Sequence, residues 1–168
     1  RNAGAWFDDA TGEVGLNVVS RRYTRFGVVF ADFDNDGWLD LYQANGAVSH
    51  IPDNKGDPFA EPNTLYHGID GRFELVVPEG GTAEPLVHTS RGLAVGDVDN
   101  DGGMDLLVIN RDAAPYLLMN TAPKRGNWVR FRVVTRDGRD AHAATVSLVV
   151  AGVRKYRDVQ PAASYLSS

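Results

Sequence analysis

The sequence predicts an all-β fold of short strands, arranged as about two propeller-type repeats of an incomplete propeller and followed by a small β module. Three observations predict it. A nine-residue acidic loop occurs twice, "DFDNDGWLD" at 32–40 and "DVDNDGGMD" at 97–105. Each loop is flanked by short β-favouring apolar runs. No stretch of useful length carries helical periodicity.

The repeat comes first, because it changes every later reading. Asp32, Asp34, Asp36, Gly37 and Asp40 recur as Asp97, Asp99, Asp101, Gly102 and Asp105, each displaced by 65. Around them "FGVVFADFDNDGWLDLYQAN" aligns without a gap to "RGLAVGDVDNDGGMDLLVIN". "WFDDATGEVG" from Trp6 echoes "RFELVVPEGG" from Arg72, displaced by 66. Chance does not easily produce this register, so the chain reads as a duplication. Within one period, residues 27–33 and 39–44 are expected strands on either side of the acidic loop. Residues 64–67 and 72–77 are two more, joined by "GIDG", a turn composition. Four short strands per period suit a propeller blade, or alternatively a sandwich repeat. Residues 46–63, rich in Gly, Pro, Asp and Asn, form a long connection expected to be exposed.

The pattern changes after Pro123. A boundary at residues 121–126 divides the repeats, 1–120, from a small β module, 121–168. "NWVRFRVV" alternates, with Val129, Phe131 and Val133 on one face and Arg130 and Arg132 on the other. "TVSLVVAG" groups Val146, Leu148 and Val150, and "VRKYRDVQ" is an expected third strand. With Arg136 and Arg139 the tail gains a basic face. It reads as solvated, with an anionic partner as the weaker option.

Composition narrows the function classes. The chain has 168 residues, 43% of them hydrophobic, enough for the core of one domain or two small modules. Its apolar runs fall far short of the ~20 residues that span a bilayer. The absence of cysteine excludes a disulfide scaffold and thiolate chemistry. The eight loop aspartates exceed the whole net charge of −5, leaving +3 for the rest (−5 + 8), so the acidity is local. No basic stripe with interleaved aromatics is present, and nucleic acid is not an expected partner. A start at Arg1 and an end at "SYLSS" suggest a processed or excised segment. HExxH, G-x-S-x-G, P-loop and G-x-G-x-x-G patterns are all missing, as is an N-x-S/T sequon. The histidines at 50, 67, 88 and 142 are scattered and read as ordinary surface or packing residues. Trp6, Trp38 and Trp128 could stack on a sugar, but core or blade packing is the favoured reading.

The acidic loops carry the chemistry. Their pattern is D-x-D-x-D-G-x-x-D. Aspartates at positions 1, 3 and 5 can turn three carboxylates inward around an ion, and glycine at position 6 permits the sharp turn. Position 7, Trp38 or Gly103, would supply a backbone carbonyl, and position 9, Asp40 or Asp105, would close the shell. Such an oxygen set suits Ca²⁺, which takes 6–8 oxygens, better than Mg²⁺. Zn²⁺ is not expected, since neither loop holds Cys or His. An EF-hand needs Glu at position 12 and flanking helices; here position 12 is Gln43 or Val108 and both flanks read as strand. One loop alone could be an acidic, solvated turn. Two matching at every acidic position favour two Ca²⁺ sites, each ion relieving carboxylate repulsion and stabilising the fold by about 2.7 kcal/mol at a hundredfold excess over Kd.

"FADFDNDGWLDLYQAN" and "AVGDVDNDGGMDLLVIN" resemble the FG-GAP/VCBS repeats of integrin α-subunit propellers and many bacterial surface proteins. "NWVRFRVV" and "GRDAHAATVSLVVAGVRKYRDVQPAASYLSS" resemble the ASPIC/UnbV module that often follows such repeats. Its usual Gly-Ala pair stands here as Ala143-Ala144, and its continuation beyond "YLSS" is missing, so the module is expected to be truncated. The resemblance implies a secreted, cell-surface or periplasmic Ca²⁺-bound β-propeller of about seven blades, like the cartilage acidic protein. Its ligands would be Asp32, Asp34, Asp36 and Asp40 in one loop and Asp97, Asp99, Asp101 and Asp105 in the other. A closed propeller does not fit in 168 residues at 65 per blade. The expected partners are therefore the remaining blades or another chain, and a protein or carbohydrate ligand. The expected role is a binding or adhesion scaffold. The alternative is part of a propeller-based biosynthetic enzyme with its active site outside the acidic loops.

Overall fold

The computed structural model describes residues 4–16, 19, 21–51, 56–123 and 126–159. In chain order, β1 (Arg25–Ala31) and β2 (Asp40–Asn45) flank the first acidic loop. β3 (Glu61–Pro62) ends the long connection, and β4 (Thr64–Ile69) and β5 (Arg72–Leu75) form a hairpin. After a 3₁₀ turn at Glu79–Gly81 come β6 (Val87–His88), then β7 (Ser90–Gly96) and β8 (Asp105–Asn110) around the second acidic loop. β9 (Tyr116–Leu118), β10 (Thr145–Val150) and β11 (Val153–Asp158) complete the order. The fold is all-β, with several antiparallel sheets, none of them closed.

Two sheets hold the acidic loops. The first runs β1-β2-β4-β5 and the second β7-β8-β9. In the first, Arg25 pairs with Asn45 and Ala31 with Asp40, with a bulge between Arg25 and Gly27. In the second, Ser90 pairs with Asn110 and Gly96 with Asp105, with a bulge between Ser90 and Gly92. Every pair of the second hairpin lies 65 residues beyond a pair of the first. The third strands break this spacing. Tyr42 pairs with Leu65, whereas Leu107 pairs with Leu117, because a short link replaces the long connection. The second sheet has no fourth strand among the described residues, so β9 is an edge.

The core lies between these sheets. Val29, Ala31, Phe33, Tyr42 and Ala44 of the first pack with Leu93, Leu106 and Val108 of the second. The two approach closely at Gly27, where a Cβ would come within 2.5 Å of the Leu93 Cβ. Any larger residue would push the sheets apart and open the cluster to water. The side chain of Arg91 ties the long connection to this seam, donating to the carbonyls of Gly46 at 2.9 Å and Ala47 at 3.0 Å.

Several expectations change. The connection 46–63 is not simply exposed: Ala47, Ala60, Glu61 and Asn63 are buried, and the Ala47 amide bonds the Phe59 carbonyl at 2.8 Å. Backbone groups held inside must be paired, and this bridging pairs them. Residues 52–55 of the connection lie outside the described residues, as do 160–168 at the end of the tail. None of the three tryptophans belongs to the buried core; Trp6, Trp38 and Trp128 are 64%, 41% and 50% exposed. In the tail, β10 and β11 pair as expected, but "NWVRFRVV" is not a strand. It has only an isolated bridge from Val134 to Asp140. Alternation assigns faces without supplying a partner for the ladder, and among the described residues the β10–β11 sheet takes in no third strand. Phe131 and Val129 are accordingly more than half exposed. The "GIDG" turn is as expected, with Asp70 and Gly71 both left-handed at φ 48 and 75.

Candidate metal centre

Four carboxylates in nine residues repel, and the chain counters this first with its own amides. In the first loop Gly37 N–H donates to Asp32 Oδ2 at 2.9 Å, Asp36 N–H to Asp34 Oδ1 at 3.2 Å, and Trp38 N–H to Asp36 Oδ1 at 2.7 Å. The second loop repeats the scheme. Gly102 N–H donates to Asp97 Oδ2 at 3.1 Å, Asp101 N–H to Asp99 Oδ1 at 3.2 Å, and Gly103 N–H to Asp101 Oδ1 at 2.8 Å. One oxygen of each carboxylate shapes the loop. The coil needs left-handed backbone at Gly37 and Gly102, φ 92 and 87, and also at Asn35 and Asn100, φ 57 and 62. The glycines follow from the motif. The asparagines were not singled out from the sequence, although Asn is among the residues that adopt this region most readily.

Position 9 behaves differently. Asp40 and Asp105 are both 2% exposed. Asp40 accepts the amides of Phe33 and Gly68, each at 2.8 Å, one on each oxygen. Asp105 accepts Val98 at 2.7 Å and Asn120 at 2.8 Å in the same way. Asp40 therefore staples its loop to β4, the third strand of its sheet, and Asp105 staples its loop to the segment that follows β9. A carboxylate oxygen has a second lone pair, so this staple leaves room for a cation. At position 7 the structure engages the amides of Trp38 and Gly103. The carbonyls it engages are those of Gly37 and Gly102, one residue earlier.

Asp32, Asp34 and Asp40 bring one oxygen each within 4.8 Å of one another, and so do Asp97, Asp99 and Asp101. These acidic groups could hold a metal ion; Asp105 stands outside the second group. The fit of a cation rests on one atom in each loop. Oδ1 of Asp32 and Oδ1 of Asp97 are buried and have no hydrogen-bond partner in the protein. A buried anionic oxygen left so is costly. Burial, followed by the charge of Asp36, raises the Asp32 carboxyl above its ordinary range, and the Gly37 amide offsets only part. Burial raises Asp40 as well, against the amides of Gly68 and Phe33. A cation inside the loop would favour the ionised forms instead.

The tail supplies positive charge from outside. Arg130 contacts Asp97 Oδ2 and donates to Asn100 Oδ1 at 2.9 Å. Lys155 Nζ donates to the Gly37 carbonyl at 2.5 Å and lies 4.6 Å from the Trp38 ring, while Arg157 lies 3.8 Å from Asp32. The loops also touch each other, since Asn35 Nδ2 donates to the Gly102 carbonyl at 3.1 Å. A cleft of ≈ 410 Å³ opens beside the first loop, with Trp38, Phe73, Arg72 and Arg154 in its lining.

One group was missed by sequence reasoning. His67, on β4, places Nε2 at 3.2 Å from Asp34 Oδ2 and 3.5 Å from Asp36 Oδ2. The signal was the pairing of Leu41 with Tyr66, which sets residue 67 beside the loop end, and that register cannot be read from the loop itself. Of the other histidines, His88 packs on Tyr116 with ring centroids 5.5 Å apart and His50 on Phe59 at 6.3 Å.

Compared with protein-family models, curated proteins and solved structures, the chain matches none. Among the described residues no helix is long and apolar enough to cross a membrane.

Proposed function

We propose that this chain is a segment of an exported β-propeller protein in which each acidic loop wraps a Ca²⁺ ion, the ions serving as structural staples of a binding or adhesion scaffold. The observation that carries the reading is the pair of buried, unpartnered oxygens, Asp32 Oδ1 and Asp97 Oδ1, at equivalent positions. Two loops with one amide scheme leave the same atom over. Donors that are all oxygen suit a hard cation, and the coil can offer more of them than Mg²⁺ ordinarily takes from protein.

The 65-residue offset in strand pairing supports the blade reading. The edge at β9 supports a partner, either further blades or another chain, since an unpaired edge invites a strand. The cleft beside Trp38 offers an aromatic face and several cationic groups to a protein or carbohydrate ligand. Isothermal titration with Ca²⁺, run beside thermal melting in chelator, tests the staple. Two bound ions and a melting temperature that falls with chelator are expected. An unchanged melting curve together with no heat of binding refutes it.

A further inference from the structure

The two loops are not equivalent once the third strands are included. Leu65 and Leu117 occupy the same place, paired with Tyr42 and Leu107. Two residues further on, the first sheet has His67 and the second has Met119. Among the described residues, a histidine groups with the carboxylates of the first loop and none with those of the second.

The geometry of that imidazole points to a ligand. Nε2 of His67 is buried and lies within 3.5 Å of two carboxylate oxygens, yet it makes a hydrogen bond to neither. Distance alone would make these ion pairs, but an imidazolium held by a carboxylate directs its N–H at one oxygen. Here direction decides against that. The arrangement of three donor atoms from Asp34, Asp36 and His67 is one that a cation between them satisfies. Ions bound at about 2.0–2.2 Å keep their ligands roughly 3.0–3.5 Å apart. The observed separations of 3.2 and 3.5 Å fall in that range.

We infer that the first acidic loop, and not the second, is a site for a divalent first-row transition ion, held by Asp34, Asp36 and His67. This rests on the reading that the loop takes a cation at all, and it adds a second class of cation to the one that the oxygen group can take. One nitrogen and two carboxylate oxygens suit ions such as Co²⁺, Mn²⁺ or Zn²⁺, whereas oxygen alone suits Ca²⁺. The loop sequence itself offers no nitrogen or sulfur ligand for Zn²⁺, and His67 on β4 supplies the nitrogen that the loop lacks. Asp34 also belongs to the oxygen group with Asp32 and Asp40, so Ca²⁺ and the transition ion compete for the first loop.

Metal-stripped full chain, titrated with Co²⁺ by calorimetry and visible absorption, tests the inference. One Co²⁺ is expected at the first loop, displaced by excess Ca²⁺. His67→Gln should weaken Co²⁺ by at least about tenfold while leaving Ca²⁺ binding unchanged; Asp99→Asn, in the second loop, should leave Co²⁺ untouched. Equal Co²⁺ affinity in His67→Gln, or an equal loss in Asp99→Asn, overturns the inference. Ca²⁺ binding without Co²⁺ binding overturns it and leaves the calcium reading standing; binding of neither ion sinks both. Should His67→Gln fail to fold, the wild-type proton spectrum decides. Co²⁺ must broaden the His67 ring resonances first, and broadening of His50 or His88 instead is a refutation.

Discussion

The carboxylate of Asp40 accepts the amide of Gly68 at 2.8 Å, joining the end of the first acidic loop to the third strand of its sheet. Its other oxygen takes the Phe33 amide. Asp40→Ala therefore strands two buried donors, and each costs about 1–3 kcal/mol when left unpaired. Urea denaturation in excess chelator should show a loss of roughly 2–6 kcal/mol from those two donors. Asp40→Asn keeps one acceptor and should lose less. Equal stability of Asp40→Ala and wild type in chelator would mean the staple is not structural.

That staple marks where reading the sequence succeeds and where it stops. The acidic spacing, the loop glycines and the flanking strands are local, fixed by residues within nine positions of one another, and they are legible. So is the β10–β11 hairpin. What Asp40 does with its oxygens depends on Gly68, 28 residues away, and what faces Asp34 depends on His67. Both follow from strand register, which no local pattern in the loop encodes. The "NWVRFRVV" segment fails for the complementary reason. Its alternation is as good as a strand's, but among the described residues no partner strand lies beside it.

Gly37 and Gly102 share a motif position and a left-handed φ, yet their surroundings differ. A Cβ at Gly37 would meet the end of Lys155, a flexible chain; at Gly102 it would meet the indole of Trp128. Both alanine variants carry the left-handed penalty of about 1–2 kcal/mol. Gly102→Ala should cost more, because the rigid ring must move. Thermal melts of the two variants check the order, and Trp128→Ala should narrow the gap between them.

Asp32 and Asp40 contribute one component of the pH dependence of the metal-free protein. Burial raises both carboxyls above the ordinary value of 3.8, so the folded chain holds their protons to higher pH than the unfolded chain does. Their contribution to stability is present below 3.8 and is lost as pH rises through the raised folded values. In chelator, acidification across that interval should raise the melting temperature of Asp32→Asn less, or lower it more, than that of the wild type. At neutral pH Asp32→Asn should melt above wild type in chelator and below it in Ca²⁺. A variant that melts lower in both conditions would show that the ionised Asp32 stabilises the metal-free fold.

Arg130 and a bound cation answer the same need. The Asp97 side chain is only 6% exposed, and Arg130 brings it a full positive charge from the tail. When a metal ion enters the second loop, that charge becomes redundant and the two cations repel. Metal binding and tail docking should therefore oppose each other, and the coupling must be reciprocal. Arg130→Gln is expected to tighten Ca²⁺ at the second loop by about fivefold or more, read by calorimetry against an Asp34→Asn background that weakens the first loop. In the wild type, Ca²⁺ should speed limited proteolysis within residues 126–131, and in Arg130→Gln that acceleration should vanish because the segment is already loose. Weaker Ca²⁺ binding in Arg130→Gln would instead mean that the guanidinium holds Asp97 in place for the ion, and the sign of the coupling would be reversed.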